Sequence, residues 1–498
     1  MPAIITNKFR INNSEQFSES FSETANQVYY LGIGRPQPFG TSARPDNRTD
    51  YEGTDTTPIT PGDTVGREFY TFDDLIAAKR VTSSDVSFVL PRRNWTSGVV
   101  YDYYRHDYGE FITGSTTTRI TSDSGATNLT DSTYYVLTSA RNVYKCLDNN
   151  GGVASTDEPT GVSTSVITTT DSYKWKFMYT LSAAQQSNFL SIDFMAVSPN
   201  SSPSADQSNV ISAAVDGSID VVKIKSPGSG GTDGTFNSIP VRGDGSGAVA
   251  SVTVSGGAVI SVAVTTPGTG YTFGTISNAQ IVSAGSTSLS GAELDVIIPP
   301  KGGHGANAKE ELGGFFVMMN TSLEGTESAN SGDFSAVNDF RKICLLRDPT
   351  KSASAVTTNT ARLTKAIRFA ASPTPGTFAS DEEINQASTG AVGKVVEWDA
   401  TNRILYYIQT RHNDSGVDAN GNLTAFSGAN VITGQGGGSP TGTPDTSHTA
   451  TTNNVDFTSG YAVPEIDHDS GDVLYIENRT PIQRATDQTE NIKLVIEF

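Results

Sequence analysis

The sequence is poor in cysteine, histidine and long apolar runs, and each shortage excludes a class of protein. Two cysteines in 498 residues cannot form a disulfide framework, although Cys146 and Cys344 could pair in principle. The five histidines have no partner at metal-ligand spacing, so no metal site is expected. The glycine clusters lack a following Lys-Ser/Thr, which leaves no predicted phosphate loop and no cofactor. No apolar stretch approaches about 18 residues, which predicts a soluble chain with no membrane segment or signal peptide, made in a cytoplasm.

Charge and composition further restrict the possible class of protein. The net charge of −19 argues against nucleic-acid binding, which needs basic surfaces that neutralise phosphates. Only 17% of the residues are charged, whereas glycine is abundant at 48, and this balance is typical of short strands joined by tight turns. A chain of this length is too long to fold around a single hydrophobic core. The sequence therefore predicts a mainly β, multi-domain protein of antiparallel β-sandwiches, with a few short helices near the N-terminus.

The first 200 residues carry the helical signals and several strands. A helix is predicted over 13–26, with Phe17 and Phe21 on one face, and a second begins at Thr71, where Phe72, Leu75, Ile76 and Lys79 follow at helical spacing. Strands are predicted over the following apolar or alternating stretches: 28–33, 86–90, 134–137, 143–147 and 173–181.

An internal repeat lies between residues 215 and 300. KSPGSGGTDGT, which begins at Lys225, recurs 40 positions later as TTPGTGYTFGT, with one proline and three glycines in register. Alternating stretches over 249–254 and 259–264 flank the Gly256-Gly257 turn. Two copies are too few for a solenoid, so a compact, pseudo-symmetric β domain is predicted.

A second glycine-rich block covers residues 361–458. It contains predicted strands over 392–398 and 404–409, separated by an Asp-Ala-Thr-Asn turn. It ends in the low-complexity run GQGGGSPTGTPDTSHTATTNN, whose composition predicts a mobile linker.

The last 29 residues, SGDVLYIENRTPIQRATDQTENIKLVIEF, predict a closing hairpin. One strand covers 472–476, and a final strand directs Ile492, Leu494, Ile496 and Phe498 inward. A chain that ends on an apolar strand normally uses it to seal a sheet. The polar residues of this hairpin include Tyr475, Glu477, Asn478 and Arg479.

The closing segment resembles, almost residue for residue, the C-terminus of the gene-product-eight baseplate wedge proteins of T-even-like contractile-tailed bacteriophages (myoviruses). Four other parts of the chain also resemble that family: ITNKFR at 5–10, PRRNW at 91–95, VYKCLDNN with DSYKWKFMYTL at 143–150 and 171–181, and DFRKICLLRDPT at 339–350. Asn94 stands where the family has an acidic residue. The match of the polar residues of the closing hairpin to the family implies a buried network that fixes the hairpin, more than a contact with a partner. The resemblance implies a family core made of 1–214, 301–360 and 459–498, interrupted by inserted modules at 215–300 and 361–458.

The function that this resemblance implies is structural, and no enzyme is expected. A subunit of the tail baseplate wedge would connect the inner wedge to the peripheral baseplate, as a homodimer in the virion. Its neighbours would be the equivalents of gene products six, seven and ten, and it would take part in tail assembly and contraction. The alternative is a tail fibre or spike component that binds or cleaves host surface glycan, with which glycine-rich β repeats are also compatible.

A cluster of arginine and aromatic residues is the candidate interface with these neighbours. Both residue types are enriched at protein interfaces. The alternative is structural, with one arginine in an internal ion pair and the other solvated. The candidates are Arg92, Arg93, Trp95, Tyr101, Tyr103 and Tyr104.

Overall fold

A computed structural model describes residues 4–23, 27–39, 53–113, 116–326, 334–335, 338–410, 416–481 and 489–498. The fold is mostly β with several antiparallel sheets, which confirms the predicted class. Within these ranges, every helix is too short or too polar to cross a bilayer. The helices are Asn7–Ser20, Val65–Asp74, Ala183–Phe189, Ala205–Ala213, Asn278–Ser283 and Ala308–Leu312.

The chain divides into two compact units. One contains Met1–Gln16, Ser87–Met318 and Val495–Phe498, and the other contains Phe17–Val86 and Met319–Leu494. A sheet of five strands contains Phe194–Ala196, Val86–Pro91, Phe316–Thr326 and Phe334–Ser335 in order, with Thr489–Glu497 paired to Phe316–Thr326.

The first unit contains a four-stranded sheet, two sheets of the repeat and a hairpin. The four-stranded sheet has the order Tyr135–Leu137, Asn142–Asp148, Lys174–Thr180 and Ile167–Thr168. The repeat forms one sheet of Val222–Ser229, Ser290–Val296, Gly274–Ile276 and Arg242–Gly243, and another of Gly234–Pro240, Val249–Ser255 and Ala258–Thr266. The hairpin pairs Gly109–Thr113 with Thr116–Ile120.

The second unit contains two large sheets. The five-stranded one has the order Thr360–Arg362, Leu75–Val81, Tyr29–Gly34, Lys342–Arg347 and Asp472–Asn478. The seven-stranded one has the order Thr441–Gly442, Ile432–Gly434, Glu383–Gln386, Ala391–Asp399, Ile404–Ile408, Lys365–Arg368 and Tyr461–Ala462. Two short pairs join Thr350–Lys351 to Ser354–Ala355 and Thr451–Thr452 to Val455–Asp456.

The two predicted helices near the N-terminus differ from the observed ones. The first begins earlier, at Asn7, because Thr6 accepts bonds from the backbone N–H groups of Phe9 and Arg10; residues 24–26 of the prediction lie outside the described ranges. The helix predicted at Thr71 is wrong, since Val65–Asp74 is followed directly by the strand Leu75–Val81. That strand lies between two neighbours, so its apolar residues are buried as part of a central strand and not as one face of a helix.

The repeat forms two facing sheets, and each of its two copies contributes strands to both sheets. The first strand of copy one, Val222–Ser229, pairs with Ser290–Val296 of copy two. The first strand of copy two, Ala258–Thr266, pairs with Val249–Ser255 of copy one. Residues of both sheets share one core that contains Val252 and Leu294. The predicted pseudo-symmetry is therefore present, with each sheet built from both copies.

The glycine/threonine-rich stretch after residue 434 forms short strands, which differs from the mobile linker that its composition predicts. Thr441–Gly442 extends the seven-stranded sheet, and Thr451–Thr452 pairs with Val455–Asp456. Small residues are required there because a Cβ at Gly442 would lie 2.7 Å from the ring of Phe369.

The two closing strands do not form the predicted hairpin with each other. Asp472–Asn478 pairs with Lys342–Arg347, whereas Thr489–Glu497 pairs with Phe316–Thr326. Local alternation indicated both strands correctly but not their partners, which are distant in sequence. Ile492 and Leu494 are buried as expected, and Ile496 and Phe498 are half-buried.

Candidate functional site: the closing strand and the segments beside it

The strand Asp472–Asn478 and Arg479, which follows it directly, hold the predicted polar residues in half-buried positions. Tyr475 donates its hydroxyl to Glu477 at 2.9 Å, and Asn478 donates its side-chain amide to the carbonyl of Ile59 at 3.1 Å. The guanidinium of Arg479 lies 5.3 Å from the ring of Phe340. The four residues thus contact their own unit, but they do not form one connected network.

Fully buried charges lie beside this strand. Lys342, which is opposite Asn478 in the register, donates to the carboxylate of Asp74 at 3.0 Å, and both side chains have no solvent exposure. Arg341 binds Asp55 with two bonds, of 2.9 and 3.0 Å. Burial alone would raise the pKa of Asp55, but the bonds from Arg341 and from the backbone of Phe39 lower it. These pairs fix the start of the strand to which the closing strand is attached.

The N-terminal segment and the last residues meet within the first unit. Arg10 donates to the carbonyl of Phe498 and to the carboxylate of Glu497. Its guanidinium also lies 3.6 Å from the centre of the Phe315 ring. Two family-like segments at opposite ends of the sequence are therefore in direct contact.

The other family-like segments are also neighbours. Asn142–Asp148 pairs with Lys174–Thr180, so the two aromatic-rich segments are adjacent strands. Trp95 donates its backbone N–H to the carbonyl of Leu137 at 2.9 Å, and Leu137 donates to the carbonyl of Arg93 at 2.7 Å. These contacts join the Arg-Arg segment to the edge of the same sheet.

The two candidate interface arginines are engaged inside the chain. Arg92 donates to the carbonyl of Ser191 at 2.7 Å and to the side chain of Asn94 at 2.9 Å. Arg93 donates to the carbonyls of Thr130 and Ser132 and lies 4.6 Å from the Tyr135 ring. Among the described residues neither arginine makes an ion pair. Both arginines donate to backbone carbonyls, an arrangement that neither of the predicted alternatives included.

The candidate aromatic residues lie mainly in cores. Tyr101 and Tyr104 are each 4% exposed, whereas Trp95 and Tyr103 are half-buried. Trp95 donates to the hydroxyl of Ser155 at 3.2 Å. Burial raises the pKa of both Tyr101 and Tyr104. The structure therefore brings the cluster together as packing around one sheet.

Two charged contacts hold the repeat to the rest of its unit. Arg105 binds Asp107 at 2.8 Å and reaches Asp295 of the repeat at 3.2 Å. Lys223 of the repeat donates to Asp148 at 2.5 Å and lies 4.6 Å from the ring of Tyr103. No local sequence signal reveals these contacts, because their partners are 75 and 190 residues apart.

The entry and exit of the repeat are adjacent. The backbone N–H of Gly302 donates to the carboxylate of Asp216 at 2.6 Å. A Cβ at Gly303, where φ is 92°, would overlap the backbone of Val215. The chain thus leaves the repeat at the point where it entered.

No metal or thiol chemistry is visible in the described ranges. They contain no group of three His, Cys, Asp or Glu residues able to hold a metal ion, and His412 lies outside them. Cys146 and Cys344 are buried free thiols. Burial raises the pKa of Cys344 to about 12, which keeps that thiol protonated and unreactive.

A comparison with protein-family models finds one relationship for the closing part of the chain. Residues 443–498 match the model described as Phage-Gp8: Bacteriophage T4, Gp8. The chain is therefore similar to that family over these C-terminal residues. It includes both closing strands and the pair Thr451–Thr452 with Val455–Asp456. Among curated proteins, none matches this chain.

Proposed function

We propose that this chain is a structural subunit of a phage tail baseplate wedge. The observation that carries the proposal is the Gp8-family match over residues 443–498. The pairing of the matched strand Asp472–Asn478 with Lys342–Arg347 supports it, since Lys342–Arg347 belongs to another segment that resembles the same family. The contact of Arg10 with Phe498 and Glu497 gives further support, because it joins the family-like N-terminal segment to the matched C-terminal segment.

The proposed core consists of 1–214, 301–360 and 459–498, with inserted modules at 215–300 and 361–458; residues 443–458 of the second module fall within the Gp8-family match. Each insertion has a hydrophobic core of its own, one around Val252 and Leu294 and the other around Ile384 and Leu405. The adjacent entry and exit of the first insertion support this division. Both modules would decorate the outer surface of the baseplate, where they thicken it or dock fibres.

The finer part of the proposal concerns assembly. The chain forms a homodimer within each wedge and contacts the equivalents of gene products six, seven and ten. In that position it connects the inner wedge to the peripheral baseplate and follows the rearrangement that accompanies contraction. Assembly takes place in the host cytoplasm. The role is mechanical and requires no catalytic group.

Deletion of the first module tests the division into core and insertions. A short glycine linker from Asp216 to Gly302 replaces the residues between them, because these positions are already hydrogen bonded. We expect the shortened chain to assemble into wedges. A full-length control, Arg105→Gln with Lys223→Gln, loosens the module without removing it. Failure of the shortened chain to assemble, while the control assembles, would contradict a decorative role.

Sedimentation of the purified chain tests the assembly state. A dimer is expected for a wedge subunit, whereas a stable trimer would favour a fibre or spike. Incubation with host envelope provides a second test, since a wedge subunit should release no glycan. Glycan release that saturates with protein concentration would refute the structural role.

A further inference from the structure

A polar cavity of about 530 Å³ lies in the first unit between the repeat and the neighbouring sheet. One wall is formed by Lys176 and Thr164, and another by Asp220. The repeat contributes Ala263, and the loop after it contributes His304. A Cβ at Gly305 would lie 3.2 Å from Cε of Lys176, so this loop packs directly on the lysine stem. The charged and polar groups of four separate segments therefore converge on one space.

Lys176 is a buried ammonium group that binds a backbone carbonyl and, among the residues that the structure describes, no carboxylate. The residue is 6% exposed, and its Nζ donates to the carbonyl of Thr164 at 2.6 Å. Among the described residues no carboxylate lies within ion-pair distance of it. An ammonium group carries three donors, so two remain for other partners. Burial lowers the pKa of Lys176, and the attraction of Asp220 opposes this effect. A buried charge in this condition is costly unless another group compensates it.

The neighbouring cation has its own partner and cannot share it. Lys145 is fully buried and bound to Glu311. Glu311 also accepts the backbone N–H groups of Gly305 at 2.8 Å and Asn307 at 3.1 Å. The carboxylate of Glu311 is therefore saturated, and Lys176 is left with the attraction of Asp220, which lies beyond ion-pair distance.

His304 supplies a second unpartnered group. It is 4% exposed, lines the cavity, and its Nδ1 has no hydrogen-bond partner within the described ranges. Its ring packs edge-on against Tyr104, with 4.9 Å between the ring centres. Burial and the nearby charges of Lys145 and Lys176 hold the pKa of His304 well below its ordinary value. The neutral imidazole has one N–H to donate.

We propose that this cavity binds a small oxoanion, a carboxylate or a phosphate, with Lys176 as its charge partner and His304 as a hydrogen-bond donor. The anion compensates the buried ammonium and occupies donors that the protein leaves unused. Burial raises the pKa of Asp220, whereas the attraction of Lys176 and Lys145 opposes this effect. The proposal is independent of the role in the tail, since it rests on contacts within one unit.

Calorimetric titration of the full chain with inorganic phosphate, and separately with acetate, tests the site at constant ionic strength in chloride buffer. The two arms show which oxoanion the cavity prefers. Saturable binding of either is expected, weakened at least tenfold by Lys176→Met. Asp220→Asn should strengthen binding several-fold, because it removes a like charge. The control Lys225→Met removes an exposed lysine that is paired with Glu293, and it should leave affinity unchanged.

A cavity-filling variant keeps the test decisive if Lys176→Met does not fold. Ala263 is exposed at the cavity wall, so Ala263→Phe should fold normally and abolish binding. The proposal is overturned if neither anion binds the unaltered protein. It is equally overturned if Ala263→Phe and Asp220→Asn both leave the affinity unchanged.

Discussion

Gly228 and Gly268 occupy equivalent positions in the two copies of the repeat, with φ values of 67° and 68°. At Gly228 an added Cβ would lie 2.8 Å from both the backbone N of Ala292 and the carbonyl oxygen of Ser290, which belong to the other copy. Gly291 provides the matched control, because its φ is 73° but a Cβ there would meet nothing within 4 Å. Replacement of each glycine by alanine therefore separates backbone strain from the close approach of the exchanged strands.

The expected magnitudes follow from these two effects. A left-handed conformation costs an alanine about 1 kcal/mol, which all three positions share. Overlap with backbone atoms that cannot rotate away adds about 2 kcal/mol at Gly228 and Gly268. We expect Gly228→Ala and Gly268→Ala to lower the local stability of the repeat by about 3 kcal/mol each, against about 1 kcal/mol for Gly291→Ala.

Hydrogen exchange measured by mass spectrometry on the full chain assigns this difference to the repeat, whereas a global unfolding curve of a multi-domain protein does not show which part has been destabilised. Peptides from Val249–Ser255 and Ser290–Val296 should exchange about 30-fold faster in Gly228→Ala than in Gly291→Ala, since each 1.4 kcal/mol is a factor of ten. Equal exchange in these two variants would refute the exchanged-strand arrangement.

Three further experiments test the contacts around the predicted interface. Arg93→Ala removes hydrogen bonds to three carbonyls and the contact with Tyr135, and should destabilise its unit by about 2 kcal/mol in urea unfolding; unchanged stability with lost wedge assembly would instead favour the interface role. Glu311→Gln leaves Lys145 buried without a counter-ion and should cost about 3 kcal/mol, most of which a second change, Lys145→Met, restores; an additive loss would contradict the buried pair. Burial alone would raise the pKa of Asp171, but hydrogen bonds to its carboxylate lower it from 3.8 to about 2. The stability that the charged carboxylate contributes is therefore present above about pH 4 and lost as the pH falls to about 2. In melting curves Asp171→Asn should remove about 1 kcal/mol at pH 7, after allowance for solvent screening, and almost nothing at pH 2; an equal loss at both pH values would contradict this.

Local sequence signals were sufficient to predict the structure where the backbone conformation itself restricts the residue type. The repeat was predictable because its turns need glycine at positive φ, as at Gly228, Gly230, Gly268 and Gly270. The alternating strands around Gly256 were predictable for the same reason, since a tight turn joins neighbours in sequence. Which copy supplies each strand was not predictable, because both copies present similar edges.

Long-range partners explain most of the wrong or missing predictions. The apolar run at Leu75 fits a helix until the neighbouring strands Tyr29–Gly34 and Thr360–Arg362 are known. The closing strand finds its partner at Lys342–Arg347, which no local pattern indicates. The cavity around Lys176 and His304 was missed because its groups come from segments far apart in sequence, each of which looks ordinary alone.

Gold labelling of intact virions tests the proposed location most directly. A short epitope inserted between Gly256 and Gly257 lies at a turn, where a Cβ on Gly256 would meet nothing within 4 Å. A wedge subunit should place the label around the baseplate with sixfold symmetry, at the outer surface if the first module is decorative. Label at the tips of fibres, or along a spike on the tail axis, would contradict the account.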